Sequence, residues 1–494
     1  MSFLGEVFTF TNVLLLLLLV LLLILWKRSQ IPKDLPPGPK GIPLLGVVNI
    51  NPQKMFEQFR EFRKEYGDVF GFYIGRSYSV IINGEETIRD VFVKKGDLYS
   101  DRPDYILTTE FGGNQGILSN SGRSWKEQRT FALATLRDFG VGKRSLEGRI
   151  LEEVEVFLDA VKEQGGQAFD VKPFIHVSVS NVLCSILFGK RFGHDDAMFL
   201  ELVKLLNDCL TGAALISLIE YFPFLRYLPG DLMGLKMLKR NTAKLEAFYD
   251  KVIAEHKSKW MEGKKDDFID CYLTEIHRRR NNSDSVFNEK ELSRVLSDMF
   301  NAGTDTTATV IRWIIAYLIN YPDVQTKLRR EIYDNLGKDR LPSLDDRSNL
   351  PYTLAVINEV LRIGIPSFGV PHTAAQDTYI NGYRIPKGCS MLLNIDSVNF
   401  DPKMFPNPDD FNPDRFIKED GKFNDNLKIL TFSVGRRVCL GESLARFEIF
   451  LFIASIVQKF ELLQDGPLPP STTPVLGITF SPKDFKFHAK LIDS

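Results

Sequence analysis

The chain begins with an almost unbroken run of leucine, valine and isoleucine from Val13 to Trp26, and the apolar stretch extends back to Val7. Roughly 20 such residues span a bilayer as a helix. Glu6 precedes the run, and Lys27 and Arg28 follow it. Basic flanks stay on the cytosolic side, so residues 1–28 are expected to be a membrane anchor, with the amino terminus in the lumen and the remainder in the cytosol. A cleaved secretory signal would carry its charge ahead of the run and a small-residue site behind it. The stretch Leu35-Pro36-Pro37-Gly38-Pro39-Lys40-Gly41-Ile42-Pro43 predicts a stiff, extended hinge over residues 29–46, leaving 47–494 as one folded domain. After the hinge the patterning turns first to β and then mostly to α. Val69–Ile74 and Tyr78–Ile82 predict two strands around Gly75-Arg76-Ser77. Thr378–Ile380 and Tyr383–Ile385 flank Asn381-Gly382, a hairpin pattern. Leu146, Ile150, Val154, Phe157, Leu158 and Val161 recur at helical spacing behind Ser145 as a cap, and Gly165-Gly166 stops them. His277 to Ser285 is charged and polar, which predicts an exposed loop. From Asn288 to Asn320 only Gly303 interrupts, and Pro322 ends the run. One helix of roughly 50 Å is implied. The fold class is mainly α with small β hairpins.

Composition narrows the partners. Lys and Arg total 62 against 63 for Asp and Glu, so no global field draws the chain to nucleic acid, and any basic docking surface is local. Five cysteines, Cys184, Cys209, Cys271, Cys389 and Cys439, are scattered without CxxC spacing. That excludes a disulfide framework or zinc cluster and suits a reducing compartment. Four are expected in the core as small hydrophobes.

Cys439 is the exception. It lies in Phe432-Ser433-Val434-Gly435-Arg436-Arg437-Val438-Cys439-Leu440-Gly441-Glu442, just ahead of a helical run whose orphan N–H groups favour a thiolate. Gly435 lets the loop turn, Gly441 lets another group approach the helix backbone closely, and Arg437 offers a fork of donors to a carboxylate. This run resembles the haem signature of the cytochromes P450, Phe-x-x-Gly-x-Arg-x-Cys-x-Gly, at every fixed position. The resemblance implies haem b with Cys439 as its iron ligand and Phe432, Arg437 and Gly441 beside it. A proximal thiolate pushes electron density onto iron and favours O–O cleavage.

Other elements follow in the family's order. Glu359 and Arg362 lie three apart on one helix face, and with Arg415 in Pro413-Asp414-Arg415-Phe416 they resemble the family's structural ion network. Ala302-Gly303-Thr304-Asp305-Thr306-Thr307 places poor helix formers in mid-helix, and the Thr306 hydroxyl can bond back to the carbonyl of Ala302. Asp305 and Thr306 then make an acid–alcohol pair suited to proton delivery. Trp125 and Arg129 share a face, and by resemblance they hold a haem propionate together with His372 and Arg437. Asn301, just before the groove, either faces the pocket or points to helix or solvent.

By analogy the pocket draws on Ile106–Phe111, Phe300 to Thr306, Ile365 to Val370, and Gly477-Ile478-Thr479, mostly apolar and suited to a lipophilic substrate. The apolar run from Phe222 to Pro229 suits either a membrane-dipping loop or ordinary core. No flavin or nicotinamide fingerprint is present, so the resemblance implies electrons from a separate NADPH–cytochrome P450 reductase, with cytochrome b5 as a second donor. Arg123, Lys126, Lys143, Arg144 and Arg436 are either its docking patch or a solvated surface. The expected activity is a monooxygenase of the animal microsomal branch, acting on fatty acids, steroids or xenobiotics at the endoplasmic reticulum membrane with the catalytic domain cytosolic. A peroxide-rearranging haem-thiolate isomerase could dispense with the Asp305–Thr306 pair. A haem sensor or scaffold would form no product. The sequon Asn281-Asn282-Ser283 stays bare if the domain is cytosolic.

Overall fold

The computed structural model describes residues 12–13, 15–20, 31–105, 113–364, 369–477 and 479–492, without the side chains of 145, 210–215 and 217. The chain divides into two compact units: residues 1–103, 221–223 and 369–397, and residues 104–220, 224–368 and 398–494.

The smaller unit is built on a four-stranded sheet. Strands β1 (Val69–Ile74) and β2 (Ser77–Ile82) are antiparallel, and β3 (His372–Thr373) and β4 (Ser390–Leu393) complete the order β1-β2-β4-β3, with β2 and β4 parallel. Helix α1 (Met55–Tyr66) presents Phe59 to the sheet, where it packs with Val47, Phe70, Phe72 and Ile81. The predicted hairpin forms at Thr378–Ile380 and Tyr383–Ile385. Its turn residues Asn381 (φ 49°) and Gly382 (φ 85°) both adopt positive φ, as a two-residue hairpin of this twist demands.

The Pro-rich stretch is not a free-standing spacer. Gly71 N donates to the Pro37 carbonyl at 2.9 Å and the Tyr78 hydroxyl donates to the Pro36 carbonyl at 2.6 Å. Asp34 pairs with Arg384 at 2.6 Å. The segment is therefore fastened along β1, and Gly38 is there for clearance: a Cβ on it would stand 1.9 Å from the Gly71 carbonyl oxygen.

The larger unit is helical. Its helices include α2 (Gly122–Asp138), α3 (Glu147–Lys162), α4 (Lys172–Leu187), α5 (Leu235–Lys259), α6 (Glu289–Asn320), α7 (Pro351–Ile363) and α8 (Glu442–Lys459). The long helix forms as expected. The Asn288 side chain caps its start by accepting from Glu291 N, and the helix is buried almost throughout its second half. It packs against α4, α5, α7 and α8. The α4 contact is close because Gly303 has no Cβ, which would otherwise stand 2.6 Å from Leu183 Cδ1.

Two expectations shift locally. The backbone puts Ser145 within a single tight turn, Arg144–Leu146, so Leu146 rather than Ser145 occupies the cap position of α3, which starts at Glu147. The apolar stripe of α3 is buried as predicted, because that spacing faces the core whatever the cap. His277 and Arg278 are the last residues of the helix Phe268–Arg278, so the exposed loop is shorter than the composition suggests. Cys184 and Cys389 are buried, and Cys209 and Cys271 half-buried.

Among the described residues no helix is long and apolar enough to cross a membrane. Most of the apolar amino-terminal run lies outside the described residues. Of it, Val13 and residues 15–20 are helical and exposed.

Replacing Gly38 by Ala should lower the unfolding midpoint by several degrees, an overpacking cost of about 1–3 kcal/mol, as followed by circular dichroism. An unchanged midpoint would show that the segment yields freely.

Candidate functional site

The site is assembled from the carboxy-terminal side of α7 onward. Glu359 and Arg362 are completely buried and paired in a fork, with Nε to Oε2 and Nη2 to Oε1 both at 2.8 Å. Arg415 Nε donates to the same Glu359 Oε1 at 3.0 Å. Arg362 Nη1 donates to the carbonyls of Asn399 and Pro408 at 2.9 and 2.7 Å, while Phe400 and Phe405 flank its guanidinium. A buried carboxylate needs such partners, and here both of its oxygens have them. Asn399 carries the order onward: its Oδ1 accepts from Leu430 N at 2.8 Å, and Thr431 Oγ1 donates to the Leu361 carbonyl at 2.6 Å. The cysteine loop begins at the next residue.

That loop turns through Ser433 (φ 63°) and Gly435 (φ 77°). Cys439 N returns to the Phe432 carbonyl at 2.9 Å, closing it. Gly441 is the residue before the first turn of α8, and a Cβ there would meet no protein atom within 4 Å. Cys439 is accessible at its surface yet enclosed deeply enough that burial raises its thiol pKa, so it lines an internal cleft rather than the outer face. The N–H groups of Gly441 and Glu442 and the charge of Arg129 pull toward the thiolate, while the carboxylate of Glu442 opposes them.

Three of the expected propionate-holding residues gather beside this loop. The Arg437 guanidinium lies 3.7 Å from the centre of the Trp125 ring, and Arg437 donates to the carbonyls of Ile117 and Asn120. Arg129 donates to the Val438 carbonyl. The buried Trp125 Nε1 has no acceptor, an orphan donor that a carboxylate of the cofactor would satisfy. Residues 117 and 118 are held in turn by α6, both their N–H groups donating to Asp298 Oδ2 at 2.7 and 2.9 Å. No sequence signal marks Asp298 or Asn120 for this. His372 belongs to the smaller unit, where its Nδ1 contacts the Tyr99 carbonyl at 2.8 Å and its ring packs on Phe92.

On α6, Thr306 Oγ1 donates to the Ala302 carbonyl at 2.7 Å, as expected. Ala302 is exposed and Thr306 half-buried, whereas Thr304, Asp305 and Thr307 are buried, so the Ala302–Thr306 side of this turn borders open space. Asp305 points elsewhere. It is buried and accepts a hydrogen bond from Thr479, and burial raises its pKa against the opposing pull of Thr479, Lys172 and Arg312. Thr479, expected only as pocket wall, is thus the partner of the acid. Asn301 is engaged by protein: the Tyr249 hydroxyl donates to its Oδ1 and its Nδ2 donates to Ser297 Oγ, both at 3.1 Å. Phe300 is not pocket wall. It is fully buried among Phe188, Phe199 and Tyr249. Residues 106–111, 365–368 and 478 lie outside the described residues.

The residues present thus fit haem: a cysteine on an internal cleft, a glycine with clear space beside it, an orphan indole donor and two arginines. The cytochrome P450 family model matches residues 36–489. The chain belongs to the cytochrome P450 family. It is 40% identical to cytochrome P450 2J3 of Rattus norvegicus over 93% of this chain and 92% of that protein. It is 38% identical to cytochrome P450 2J2 of Homo sapiens (94% and 92%) and 36% identical to cytochrome P450 2B4 of Oryctolagus cuniculus (88% and 89%). As a P450 it binds haem b and is a haem-thiolate monooxygenase, inserting one oxygen atom of dioxygen into a lipophilic organic substrate with electrons from a redox partner.

Glu359→Gln should abolish stable haem incorporation, because it leaves two buried arginines short of a counter-charge at a cost of about 3–5 kcal/mol. Haem-to-protein absorbance ratio and near-UV circular dichroism check this. Normal haem content in the variant would show that the network is dispensable.

Proposed function

We propose that Cys439 is the thiolate ligand of the haem iron, that Trp125, Arg129, Arg437 and His372 hold the propionates, and that Ala302, Phe432 and Gly441 lie against the macrocycle. The observation that carries this reading is Cys439 itself, open to an internal cleft, with the N–H groups of Gly441 and Glu442 bonded to its sulfur and the charge of Arg129 nearby. When bound, haem supplies the activation of dioxygen, and a thiolate suits that chemistry better than an imidazole.

The chain's own part is proton handling and exclusion of water. The Thr306 proton is committed to the Ala302 carbonyl, so its hydroxyl oxygen offers lone pairs and acts as an acceptor that can fix a water beside this turn. Asp305, its acid form favoured by burial, is the proton donor. Its bond to Thr479 holds it away from Thr306, so a water or a change of rotamer must link the pair. The presence of both groups favours monooxygenation over peroxide rearrangement.

Residues 1–28 form the anchor to the endoplasmic reticulum membrane, with 29–46 as the connecting segment and the monooxygenase domain, 47–494, in the cytosol. Phe224, Tyr227, Leu228 and Leu232 are all exposed, Tyr227 by 81%, which supports a membrane-dipping loop over a core segment. The electron donor is NADPH–cytochrome P450 reductase, with cytochrome b5 as accessory. Its docking charges are Arg123, Lys126, Lys143, Arg144 and Arg436, all exposed. Arg123 and Arg144 are partly offset by Glu127 and Asp345, each at 2.7 Å.

The reduced carbon monoxide complex should show the long-wavelength Soret band of thiolate ligation, and Cys439→Ser should lose it. A folded, haem-loaded protein lacking the band would refute the ligand assignment. Charge reversal at Lys126 and Arg436 should cut reductase-supported turnover several-fold at low salt, with the difference fading as salt rises. Turnover equal to the parent's at all salts would dismiss the patch.

A further inference from the structure

The charged loop that follows the helix Phe268–Arg278 is not used by the haem site or the pocket described above. Its run Arg278-Arg279-Arg280-Asn281-Asn282-Ser283 places arginines five, four and three residues ahead of a serine. An arginine three residues ahead of a serine occurs four times in the chain, at Ser79, Ser283, Ser297 and Ser343, and only Ser283 has another at five. Ser79 is half-buried in β2, Ser297 is buried in α6, and half-buried Ser343 donates its hydroxyl to Asp346 at 3.0 Å. Ser283 is exposed at a turn. Ser285, two residues on, is half-buried and its Oγ accepts from Phe287 N at 3.2 Å.

The three arginines are not equivalent. Arg279, its side chain 25% exposed, is held by Glu127 Oε2 at 2.6 Å, by Glu275 Oε1 at 2.5 Å and by the Phe287 ring 4.4 Å from its guanidinium. Arg278 is 65% exposed and pairs with Glu275 one turn back, a surface contact that a stronger partner displaces at little cost. Arg280 is exposed and lies against His277. The middle arginine thus anchors the loop, while the outer two, five and three residues ahead of Ser283, are accessible. The loop is fastened to α2 at both ends. Glu127, which holds Arg279, also binds Arg123 Nε at 2.7 Å, and the Val286 carbonyl accepts from Gln128 Nε2 at 2.8 Å. Ser283 therefore stands near the end of α2 that carries Arg123 and Lys126, and the charge of its neighbour Asp284 reaches Arg123.

We propose that Ser283 is a phosphorylation site for an arginine-directed serine kinase, and that its phosphate weakens docking of the acidic redox partner. The second half rests on the docking patch read above. The Ser283 oxygen attacks the γ-phosphorus of ATP; the new O–P bond forms as the bond to the departing ADP breaks, and the hydroxyl proton passes to the kinase's catalytic base. The accessible arginines suit a kinase whose substrate groove is lined with carboxylates, each a bidentate partner for a guanidinium. The phosphate carries about −1.5 to −2 charge at neutral pH. Beside Asp284, it adds to the negative charge already acting on Arg123 and competes for that arginine with an acidic flavoprotein. The cytosolic placement that leaves Asn281 without a glycan is also the one that gives Ser283 access to ATP.

The site is tested by mass. Purified full-length holoprotein is incubated with ATP and a recombinant serine kinase that selects arginine three and five residues before its target, and the phosphate is mapped by peptide mass spectrometry. Phosphate on Ser283 is expected. Ser283→Ala should remove it and Arg280→Ala should slow its transfer at least tenfold, with the carbon monoxide spectrum of each variant unchanged from the parent's. Ser283 left bare, whether or not other serines are labelled, overturns the site. The effect on docking is read separately. Phosphorylated protein and Ser283→Glu should each need several-fold more reductase for half-maximal turnover at low salt, with the difference fading as salt rises. If the phosphate leaves that requirement unchanged while charge reversal at Lys126 and Arg436 raises it, the patch stands and control by Ser283 falls. If neither moves it, the patch fails and takes that control with it, and the mass map decides the site by itself.

Discussion

The larger unit depends on satisfying one carboxylate where water cannot reach it. Glu359 is held by Arg362 and Arg415, and every remaining donor of Arg362 ends on a backbone carbonyl. Such a network gains little net stability over apolar packing, because desolvation consumes most of its Coulombic energy. What it provides is geometry. Removing any partner strands a charge, so the loop from 399 to 415 and the end of α7 have one acceptable arrangement. Through Asn399 and Thr431 that arrangement passes to the start of the cysteine loop.

The long helix α6 solves a second constraint by giving its faces different work. Gly303 allows α4 to pack close; Ala302 and Thr306 leave a turn open; Asp305 and Arg312 face the carboxy-terminal segment. The five consecutive polar or small residues from Gly303 to Thr307 would weaken an isolated helix. Here packing on four neighbours holds the helix continuous from 289 to 320. Local weakness thus does not become a break.

Much of this was legible in the chain. The hairpin at 378–385, the strands near 69–82 and the helix capped by Asn288 follow from turn chemistry and periodicity, which act within a few residues. The cysteine loop was legible because ligation, chain reversal and close approach to a flat group demand particular residues at fixed spacing. The Glu359–Arg362 pair was visible as an i, i+3 contact, though Arg415 as its third member needed the family resemblance. Ser145 falls one position short of the cap because a tight turn takes it in, a choice of backbone that side-chain preference alone does not dictate.

The sequence by itself determined the class of chemistry, the cofactor and the mainly α fold, since each is written in short-range patterns. Only the tertiary structure decided where long-range partners meet. Asp305 turns to Thr479, 174 positions away, rather than to its neighbour Thr306. Asn301 is taken by Tyr249, Phe300 sinks into an aromatic cluster, and Asp298 holds the backbone ahead of Trp125. These contacts join segments brought together by the burial of apolar faces, a non-directional force. Which polar side chains end up within hydrogen-bond reach is a by-product of that packing, and no local pattern records it.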